Sequence, residues 1–554
     1  MKMNLKKLQM IPLGLFSVVF CLLALTACDG STTVEDYVGV QKTDPYDPSK
    51  PVVISNFIPE SGSVGQQVVI YGSNFGNDPE KINLTIGGKK AIVVSVKGDC
   101  LYTFIPSGAF TGEIEISIDG STPVKSATAF AYERKMVVGT LCGYKNALDN
   151  QGWQEGPFET CSGFRNDGVM QFSPYNHDQL FIVYDQEPHF GTVAHSIQLL
   201  DLKERTVRDV LPLSLFNQER LRTIDFIVDP FAYTADGENL GRAVGSWESI
   251  ATADELRWRE HLIISADNDD SNFRANSVYI VDRDANGEFS ETSKVTKLAC
   301  YRQCNGASVH PNGEIYFTSY QLGEVIRLDT DYYWQSVEDG EVWNPYVTEN
   351  ELGAFEILYT IQDRYWEFQI DIHPTGDYAY IVVINQHYIM RTDYDWESKR
   401  FLPPYQIAGQ MKSEGFVDGV GKSAQVRRPY QGTFVKNDSY EALGKSDVYD
   451  FYFCDSRNNA LRYLTPDGII GTYAGGNANS HADGNTYGSE NGELRDVARF
   501  YRPTGLVNDF HIDKITGEKT LIFYILDTEN HLIRTITMEE EEDVSDNEPE
   551  ETEE

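Results

Sequence analysis

Near its C-terminus the chain reads Ala498-Arg-Phe-Tyr-Arg-Pro-Thr-Gly-Leu-Val507, then Leu521-Ile-Phe-Tyr-Ile-Leu-Asp527, then Leu532-Ile-Arg-Thr-Ile536. Dense apolar runs separated by Gly, Pro, Asn and Asp are typical of short β-strands joined by turns. A further run of this kind, residues 469–474, precedes the group. Because four short consecutive strands form one blade of a β-propeller, this part of the sequence predicts a blade.

The same pattern recurs upstream, which indicates a repeat architecture. The preceding copy contains Arg427-Arg-Pro429, Phe451-Tyr-Phe-Cys-Asp455 and Leu461-Arg462. Weaker copies bring the candidate inner strands to six, starting near residues 169, 224, 307, 368, 432 and 504. These copies predict an all-β, six-bladed propeller over residues 136–538. The spare strand at 136–143 is expected to pair with the last blade and close the ring, which removes free strand edges.

Residues 52–133 predict a separate sandwich of the immunoglobulin type, because short apolar runs alternate there with Gly and Pro. This segment resembles the IPT/TIG family through four motifs, which are Pro59…Gly62…Gly65, Gly72-Ser-Asn74-Phe75, Pro106-Ser-Gly108…Gly112 and Phe130-Ala-Tyr132. The propeller copies resemble NHL repeats. Together the two resemblances imply an immunoglobulin-like IPT/TIG sandwich followed by a six-bladed NHL-type β-propeller.

Residues 1–27 are expected to be the signal peptide of a lipoprotein. Lys2, Lys6 and Lys7 precede an apolar run that ends in Leu25-Thr-Ala-Cys28. This layout is that of a secretory signal, and its last four residues resemble the lipobox of bacterial lipoproteins. The resemblance implies that Cys28 becomes the lipidated N-terminus and that residues 28–51 form a linker. We therefore expect a protein that is lipid-anchored in the outer membrane and exposed at the cell surface.

The chain of 554 residues is strongly acidic, with a formal net charge of −38. This charge makes nucleic acid a poor partner. Part of the charge lies in residues 539–554, which we expect to be a disordered acidic tail. The cysteines that remain after Cys28 can pair in an oxidising compartment. We expect disulfides between Cys142 and Cys161 and between Cys300 and Cys304, and a free buried thiol at Cys454.

A set of arginines forms the predicted ligand site. Each outer-to-inner loop places one just before an inner strand, so the symmetry of the repeat should gather them at one mouth of the central channel: Arg165, Arg222, Arg302, Arg364, Arg428 and Arg502. Guanidinium groups bind carboxylate or sulfate bidentately. Aromatic residues lie near several of them: Trp153, Tyr301, Trp366, Tyr430 and Tyr501. The alternative is that these arginines join the blades by pairing with acidic side chains or backbone carbonyls.

The opposite face of the propeller carries a second candidate site. Residues 229–259 and 330–350 are insertions with many aromatic side chains, which are Trp247, Trp258, Tyr332, Tyr333, Trp334, Trp343 and Tyr346. Such a cluster is either a stacking platform for a polysaccharide or the core of an insertion that packs on the propeller. The residues alone leave both interpretations open.

Signals for catalysis or metal binding are weak. The sequence lacks the Gly-x-Ser-x-Gly, His-Glu-x-x-His and P-loop patterns. Asp527, Asn530 and His531 resemble an acid–base group but occupy turn positions of the repeat, so we predict no catalytic residue. Asp267-Asn-Asp-Asp-Ser-Asn272 has a calcium-like composition without the glycine and closing glutamate of an EF-hand loop. We predict no cofactor, with a structural calcium ion as the one candidate.

The order of the segments resembles the TIG–NHL lipoproteins of Bacteroidota, which often accompany outer-membrane uptake systems of the SusC/SusD type. This resemblance implies a surface protein that captures a glycan or other polymer beside a transporter complex. Two alternatives remain, which are a propeller enzyme of the polysaccharide lyase or lactonase kind and an interaction scaffold that docks on a transporter. An enzyme would require His and carboxylate groups that converge at the channel, whereas the sequence does not separate binding from scaffolding.

Overall fold

A computed structural model describes residues 44–539, apart from 64–65, 98, 107–108, 144–152, 186–196, 230–256, 362–366, 477–486, 513–516 and 518. The described chain divides into two compact units, of which the first ends at Arg134 and the second begins at Lys135. Both units consist mainly of β-strands. Within the described ranges, no helix is long and apolar enough to cross a membrane.

The first unit is a β-sandwich. Its strands bury alternate residues, as in Ile114–Ile118, where Ile114, Ile116 and Ile118 are buried and the residues between them are partly exposed. This alternation is expected of strands that pack one face on a core. One sheet contains Val53–Ile58, Gln67–Ser73, Cys100–Phe104 and Val93–Lys97, the second contains Lys89–Ala91, Ile82–Ile86, Ile114–Ile118 and Val124–Lys125, and a small third sheet pairs Ala131–Tyr132 with Ser61–Gly62.

The second unit consists of six antiparallel sheets of four or five strands, and the inner strands of neighbouring sheets contact each other around a ring. This arrangement confirms the predicted six-bladed propeller. From the inner to the outer strand, blade 1 contains Gly168–Phe172, Gln179–Tyr184, Ile197–Asp201, Thr206–Leu211 and Gly156–Pro157; blade 2 contains Leu221–Val228, Glu260–Ala266, Ala275–Val281 and Val295–Tyr301; blade 3 contains Ala307–Val309, Ile315–Ser319, Glu324–Leu328 and Phe355–Thr360.

The remaining blades follow the same order. Blade 4 contains Phe368–Ile372, Tyr378–Val383, Tyr388–Asp395 and Tyr405–Gly409, with Arg400–Phe401 also paired to its third strand; blade 5 contains Pro429–Lys436, Tyr449–Asp455, Ala460–Leu464, Ile469–Gly475 and Gly419–Val420; blade 6 contains Pro503–Ile512, Lys519–Asp527, Leu532–Met538, Met136–Cys142 and Gly492–Glu493. The α-helices are Asp331–Glu338 and Asp438–Ala442, and the 3₁₀ turns are Pro79–Lys81, Leu213–Phe216, Ile384–Gln386, Gly421–Ser423, Ser456–Asn458 and Thr528–Asn530.

Blade 6 is built from both ends of the propeller sequence. The strand Met136–Cys142 pairs antiparallel with Leu532–Met538, and Val138 lies opposite Ile536. The predicted closure is therefore confirmed. It leaves the last blade with the same strand order as the others, although its outer strand comes first in the chain.

Blades 5 and 6 each contain a buried ion pair at equivalent positions, which explains why their sequences are the most regular. Asp455 ends the second strand of blade 5 and binds Arg462 on the third strand at 2.8 Å. Asp527 and Arg534 make the equivalent contact in blade 6 at 2.9 Å. All four side chains are fully buried. Because one member of such a pair cannot be lost alone without leaving a buried charge, the repeat keeps both residues.

The predicted disulfides are absent, since every cysteine in the described ranges is a free thiol. Cys300 Sγ faces Asn276 Oδ1 at 3.5 Å and Cys304 Sγ faces the Gly306 carbonyl at 3.3 Å, so these two thiols bind different partners. Cys142 and Cys161 do lie together, in hydrogen-bond contact within one buried cluster. The prediction for Cys454 is confirmed, because its thiol is free and fully buried.

Candidate functional site

The inner strands of all six blades line a central cavity of about 400 Å³. Its lining runs from Gly306, just before the inner strand of blade 3, to Pro311 and Pro374, just beyond the inner strands of blades 3 and 4. We call the mouth where the inner strands begin the start end, and the mouth where they finish the far end. The predicted arginines that the structure describes precede or begin inner strands and so belong to the start end: Arg165, Arg222, Arg302, Arg428 and Arg502.

Arg222 lies at the start end with its side chain 1% exposed. Its guanidinium pairs with Asp185 of blade 1, with Asp267 of blade 2 at 3.3 Å and with Glu367 of blade 4 at 2.9 Å. Arg220 also pairs with Asp185 and with Asp267, the latter at 3.3 Å. Burial opposes ionisation of Asp185, but the two arginines outweigh it and lower the pKa of this carboxyl. One arginine thus connects three blades across the channel.

Arg428 and Arg502 extend this network. Each precedes the proline that opens an inner strand, and each has a left-handed backbone, with φ of 52° and 55°. Arg502 Nη2 binds Asp167 of blade 1 at 2.7 and 2.9 Å, and Nη1 binds Glu529 of its own blade. Arg428 lies 3.5 Å from Glu367. The interpretation that these arginines join blades through acidic partners is therefore confirmed for Arg222 and Arg502.

The other predicted ligand residues have different environments. Arg165 is exposed, and Arg302 pairs at 2.9 Å with Asp269, whose side chain is 44% exposed. Tyr430 is buried beside the arginine network, and burial, reinforced by the neighbouring carboxylates, raises its pKa. Tyr501 stacks on Tyr487 with ring centroids 4.4 Å apart. Arg364 and Trp366 lie outside the described residues.

The aromatic insertion at the far end is a packed core. Tyr333 and Trp334 on the helix Asp331–Glu338 are buried, and their rings meet at 5.0 Å. Trp343 packs on Tyr333 at 5.5 Å and donates its indole N–H to the Leu298 carbonyl at 2.9 Å. Of the two interpretations left open by the sequence, packing onto the propeller describes these residues. Trp247 lies outside the described residues, whereas Trp258 is 52% exposed.

Two aspartates that the sequence analysis did not single out line the cavity itself. Asp225, on the inner strand of blade 2, accepts hydrogen bonds from the backbone N–H groups of Val309 and Phe226, both at 2.8 Å, and from the Gln171 amide at 3.1 Å. Burial raises the pKa of Asp225 to about 6 against these hydrogen bonds. The carboxyl is thus fixed in place by three hydrogen bonds, although burial makes it harder to ionise than a surface aspartate.

Asp371, on the inner strand of blade 4, has no comparable support. Its Oδ2 atom is buried and lacks a hydrogen-bond partner in the described part of the chain. Burial, and then the charge of Asp225, raises the pKa of Asp371 to about 8. Two positions earlier, Gln369 is 4% exposed and its amide nitrogen also lacks a partner among the described residues. These two unsatisfied groups favour a polar ligand in the cavity, because buried polar atoms normally have a hydrogen-bond partner.

A sequence signal for these residues exists, although it is faint. Successive side chains of a strand face opposite sides, so Gln369 and Asp371 share one face of Phe368–Ile372 while Phe368 and Ile370 share the other. Such polar alternation in an inner strand places the polar side chains on the channel. In an outer strand the same alternation would place the polar side chains in solvent. The sequence therefore does not distinguish channel residues from surface residues until the strand order is known.

The candidate calcium segment is committed to other contacts. Asp267 faces Arg220 and Arg222, and Asp269 faces Arg302. In the described ranges, no group of three or more His, Cys, Asp or Glu side chains converges as metal ligands would. The Asp527 group is likewise occupied, since Asp527 accepts from Asn530 at 2.7 Å and from Arg534 at 2.9 Å.

Comparison with known proteins gives one family match and several related structures. A family model described as the IPT/TIG domain matches residues 51–132. Two solved structures from Bacteroides thetaiotaomicron VPI-5482 are 43% and 37% identical, cover 90% of this chain and 99% and 100% of their own, and have TM-scores of 0.74 and 0.69; they are described as a putative phosphatase and an auxiliary nutrient binding protein.

A third structure, an auxiliary nutrient binding protein from Bacteroides ovatus ATCC 8483, is 30% identical, with coverage of 90% and 100% and a TM-score of 0.57. No curated protein sequence matches the chain. The similarity to the three solved structures therefore extends over nearly their whole lengths.

Proposed function

The chain belongs to the protein family of these three Bacteroides structures, and from this premise we propose that it is an auxiliary nutrient-binding protein that holds its ligand in the propeller channel. Two of the three relatives carry that description. The observation that carries the location is the cavity of about 400 Å³, which is lined by Asp371, a residue whose buried Oδ2 lacks a partner among the described residues. A pocket with a few unsatisfied polar groups is the usual form of a ligand site.

The cellular setting that we propose is the outer membrane, with a lipid anchor at Cys28 and exposure at the cell surface. The motif Leu25-Thr-Ala-Cys28 supports this proposal. Replacing Cys28 with Ala should move the protein from the membrane fraction to the soluble fraction, because acylation would supply the anchor. Fractionation followed by immunoblotting measures this, with Cys100→Ala as the matched control. Membrane retention of the Cys28 variant equal to that of the wild type would place the anchor elsewhere.

The ligand that we propose is a glycan or other polymer, delivered to an outer-membrane transporter of the SusC/SusD type. A channel cavity of this size takes one unit of such a polymer rather than a long stretch of it. The start end is the alternative location for the ligand, because the side chains of Arg428 and Arg502 remain 31% and 20% exposed.

Affinity gel electrophoresis against a panel of polysaccharides tests the proposed function and its location together. The proteins are the wild type, Asp371→Asn, and the double variant Arg428→Ala with Arg502→Ala. Retardation of the wild type that is lost in Asp371→Asn and kept in the arginine variant supports the channel. The reverse pattern would move the site to the start end.

An enzyme remains the second candidate because the relative of 43% identity is described as a putative phosphatase. The same three proteins can be assayed for release of p-nitrophenol from p-nitrophenyl phosphate. Turnover by the wild type that Asp371→Asn abolishes would replace binding with hydrolysis as the function of the channel. We expect no turnover above the buffer rate.

A further inference from the structure

The channel interior is an acidic site, lined by carboxyl groups with no basic residue to pair with them among the described lining residues. Among the lining residues that the structure describes, Asp225, Asp371 and His373 are titratable and none is Lys or Arg. His373 is engaged elsewhere, since its Nδ1 lies 2.7 Å from the Thr375 hydroxyl and its Nε2 lies 3.7 Å from Asp447. The arginine network of the start end is already paired with Asp185, Asp267 and Glu367.

The two carboxyls differ in whether their oxygens already accept hydrogen bonds. Both oxygens of Asp225 already accept hydrogen bonds, from Val309, Phe226 and Gln171. Asp371 Oδ2 and the Gln369 amide nitrogen have no partner in the described chain, although Gln369 is 4% exposed. An unpaired acceptor and an unpaired donor thus lie two residues apart on one strand, beside a second carboxyl.

From this arrangement we infer that the channel binds a small amine about the size of one sugar ring, with its ammonium group on Asp371 and Asp225 and a hydroxyl on the Gln369 amide. The inference rests on the proposed function and specifies its ligand class. An ammonium group carries three N–H donors and no acceptor, so it suits a site whose free oxygens belong to carboxyls. Burial opposes ionisation of Asp371, and a bound ammonium group would offset that cost by supplying the opposite charge.

The dimensions favour an organic cation over a bare metal ion. A volume of about 400 Å³ corresponds to about a dozen water molecules, which leaves room for a six-membered ring with its hydroxyls. Ca²⁺ prefers six to eight oxygen ligands, whereas no three His, Cys, Asp or Glu side chains converge in the described ranges. An amino sugar satisfies both the charge and the volume.

Isothermal titration calorimetry with three probes tests the inference. Glucosamine carries the ammonium group, glucose replaces it with a hydroxyl, and N-acetylglucosamine keeps the nitrogen without the charge. We expect glucosamine to bind the wild type at least tenfold more tightly than either neutral sugar. Asp371→Asn should weaken glucosamine binding at least tenfold, so that the variant binds the three sugars with similar affinities.

The matched control is Asp509→Asn. Asp509 is also on an inner strand, but its carboxylate pairs with His177 at 3.1 Å and does not line the cavity. Its replacement should leave glucosamine affinity within twofold. Circular dichroism spectra and melting curves confirm that each variant is folded before the titration.

Four results would overturn the inference. The first is equal affinity for glucosamine and glucose, and the second is unchanged glucosamine binding in Asp371→Asn. The third is a heat of binding for Ca²⁺ that Asp371→Asn removes while glucosamine gives none. Fourth, if the wild type binds a polysaccharide in the gel assay but not glucosamine, the ligand class is wrong and the proposed function stands.

Discussion

Buried aspartates lie at the start end and in the interior of the same channel, and their surroundings are opposite. Asp267 at the start end lies 3.3 Å from both Arg220 and Arg222. Asp371 in the interior has another carboxyl, Asp225, as its main charged neighbour. The difference separates a structural use of buried charge from one that is available to a ligand, because paired charges hold blades together and unpaired ones favour binding a cation.

The largest effect should come from removing the central cation of the start end. Arg222→Ala leaves Asp185, Asp267 and Glu367 short of a positive charge in a buried position. We expect the free energy of unfolding to fall by about 3–5 kcal/mol, measured by urea denaturation. Arg302→Ala is the control, since it breaks a pair with a half-exposed aspartate and should cost at most about 1 kcal/mol. Equal losses in the two variants would refute the structural role assigned to Arg222.

In the interior, removing a charge should stabilise the protein. The pKa of Asp371 is raised from 3.8 to about 8 in the folded state, so the unfolded chain releases this proton at lower pH than the folded chain does. The wild type therefore loses stability as pH rises from about 4 to about 8. Asp371→Asn should be about 3 kcal/mol more stable than the wild type at pH 6, by a larger margin at pH 8, and nearly equal to it at pH 4.

Melting temperatures of the wild type and of Asp371→Asn across this pH range measure the effect. The predicted difference between the two proteins widens with pH. A gap that stays constant with pH would mean that the Asp371 carboxyl is ionised in both states and is not held in its protonated form.

The smallest effect concerns ligand affinity at the start end. Arg428→Ala combined with Arg502→Ala removes partly exposed guanidinium groups that face Glu367, Asp167 and Glu529. If the ligand lies in the interior, its affinity should change by less than twofold. A tenfold loss, accompanied by weaker binding of the wild type in high salt, would instead support an anionic ligand at the arginines.

The sequence predicts the blades well where a buried ion pair repeats and less well where it has been replaced. Asp455 with Arg462 and Asp527 with Arg534 make blades 5 and 6 recognisable. In blade 4 the register places Val383 and Met390 at the corresponding positions. Apolar side chains at these positions bury no charge that needs a partner, so the fold is kept while the sequence pattern is lost.

The site was less predictable for a related reason. Repeat position correctly placed Arg222, Arg428 and Arg502 together, because symmetry-related loops meet at one mouth. Their acidic partners come from other blades, as Glu367 and Asp167 do, and sequence spacing does not reveal them. In the sequence, Asp371 looks like any polar residue in a strand. Its carboxyl Oδ2 lacks a hydrogen-bond donor in the described chain because the facing inner strands do not supply one, and sequence spacing does not reveal this.

The most direct test of the account is a crystal structure of the wild-type protein soaked with glucosamine. We expect ligand density in the channel interior, with the amine nitrogen within hydrogen-bond distance of the Asp371 carboxylate and a hydroxyl near the Gln369 amide. Density bound instead to Arg428 and Arg502 at the start end, with the interior occupied by water, would contradict it.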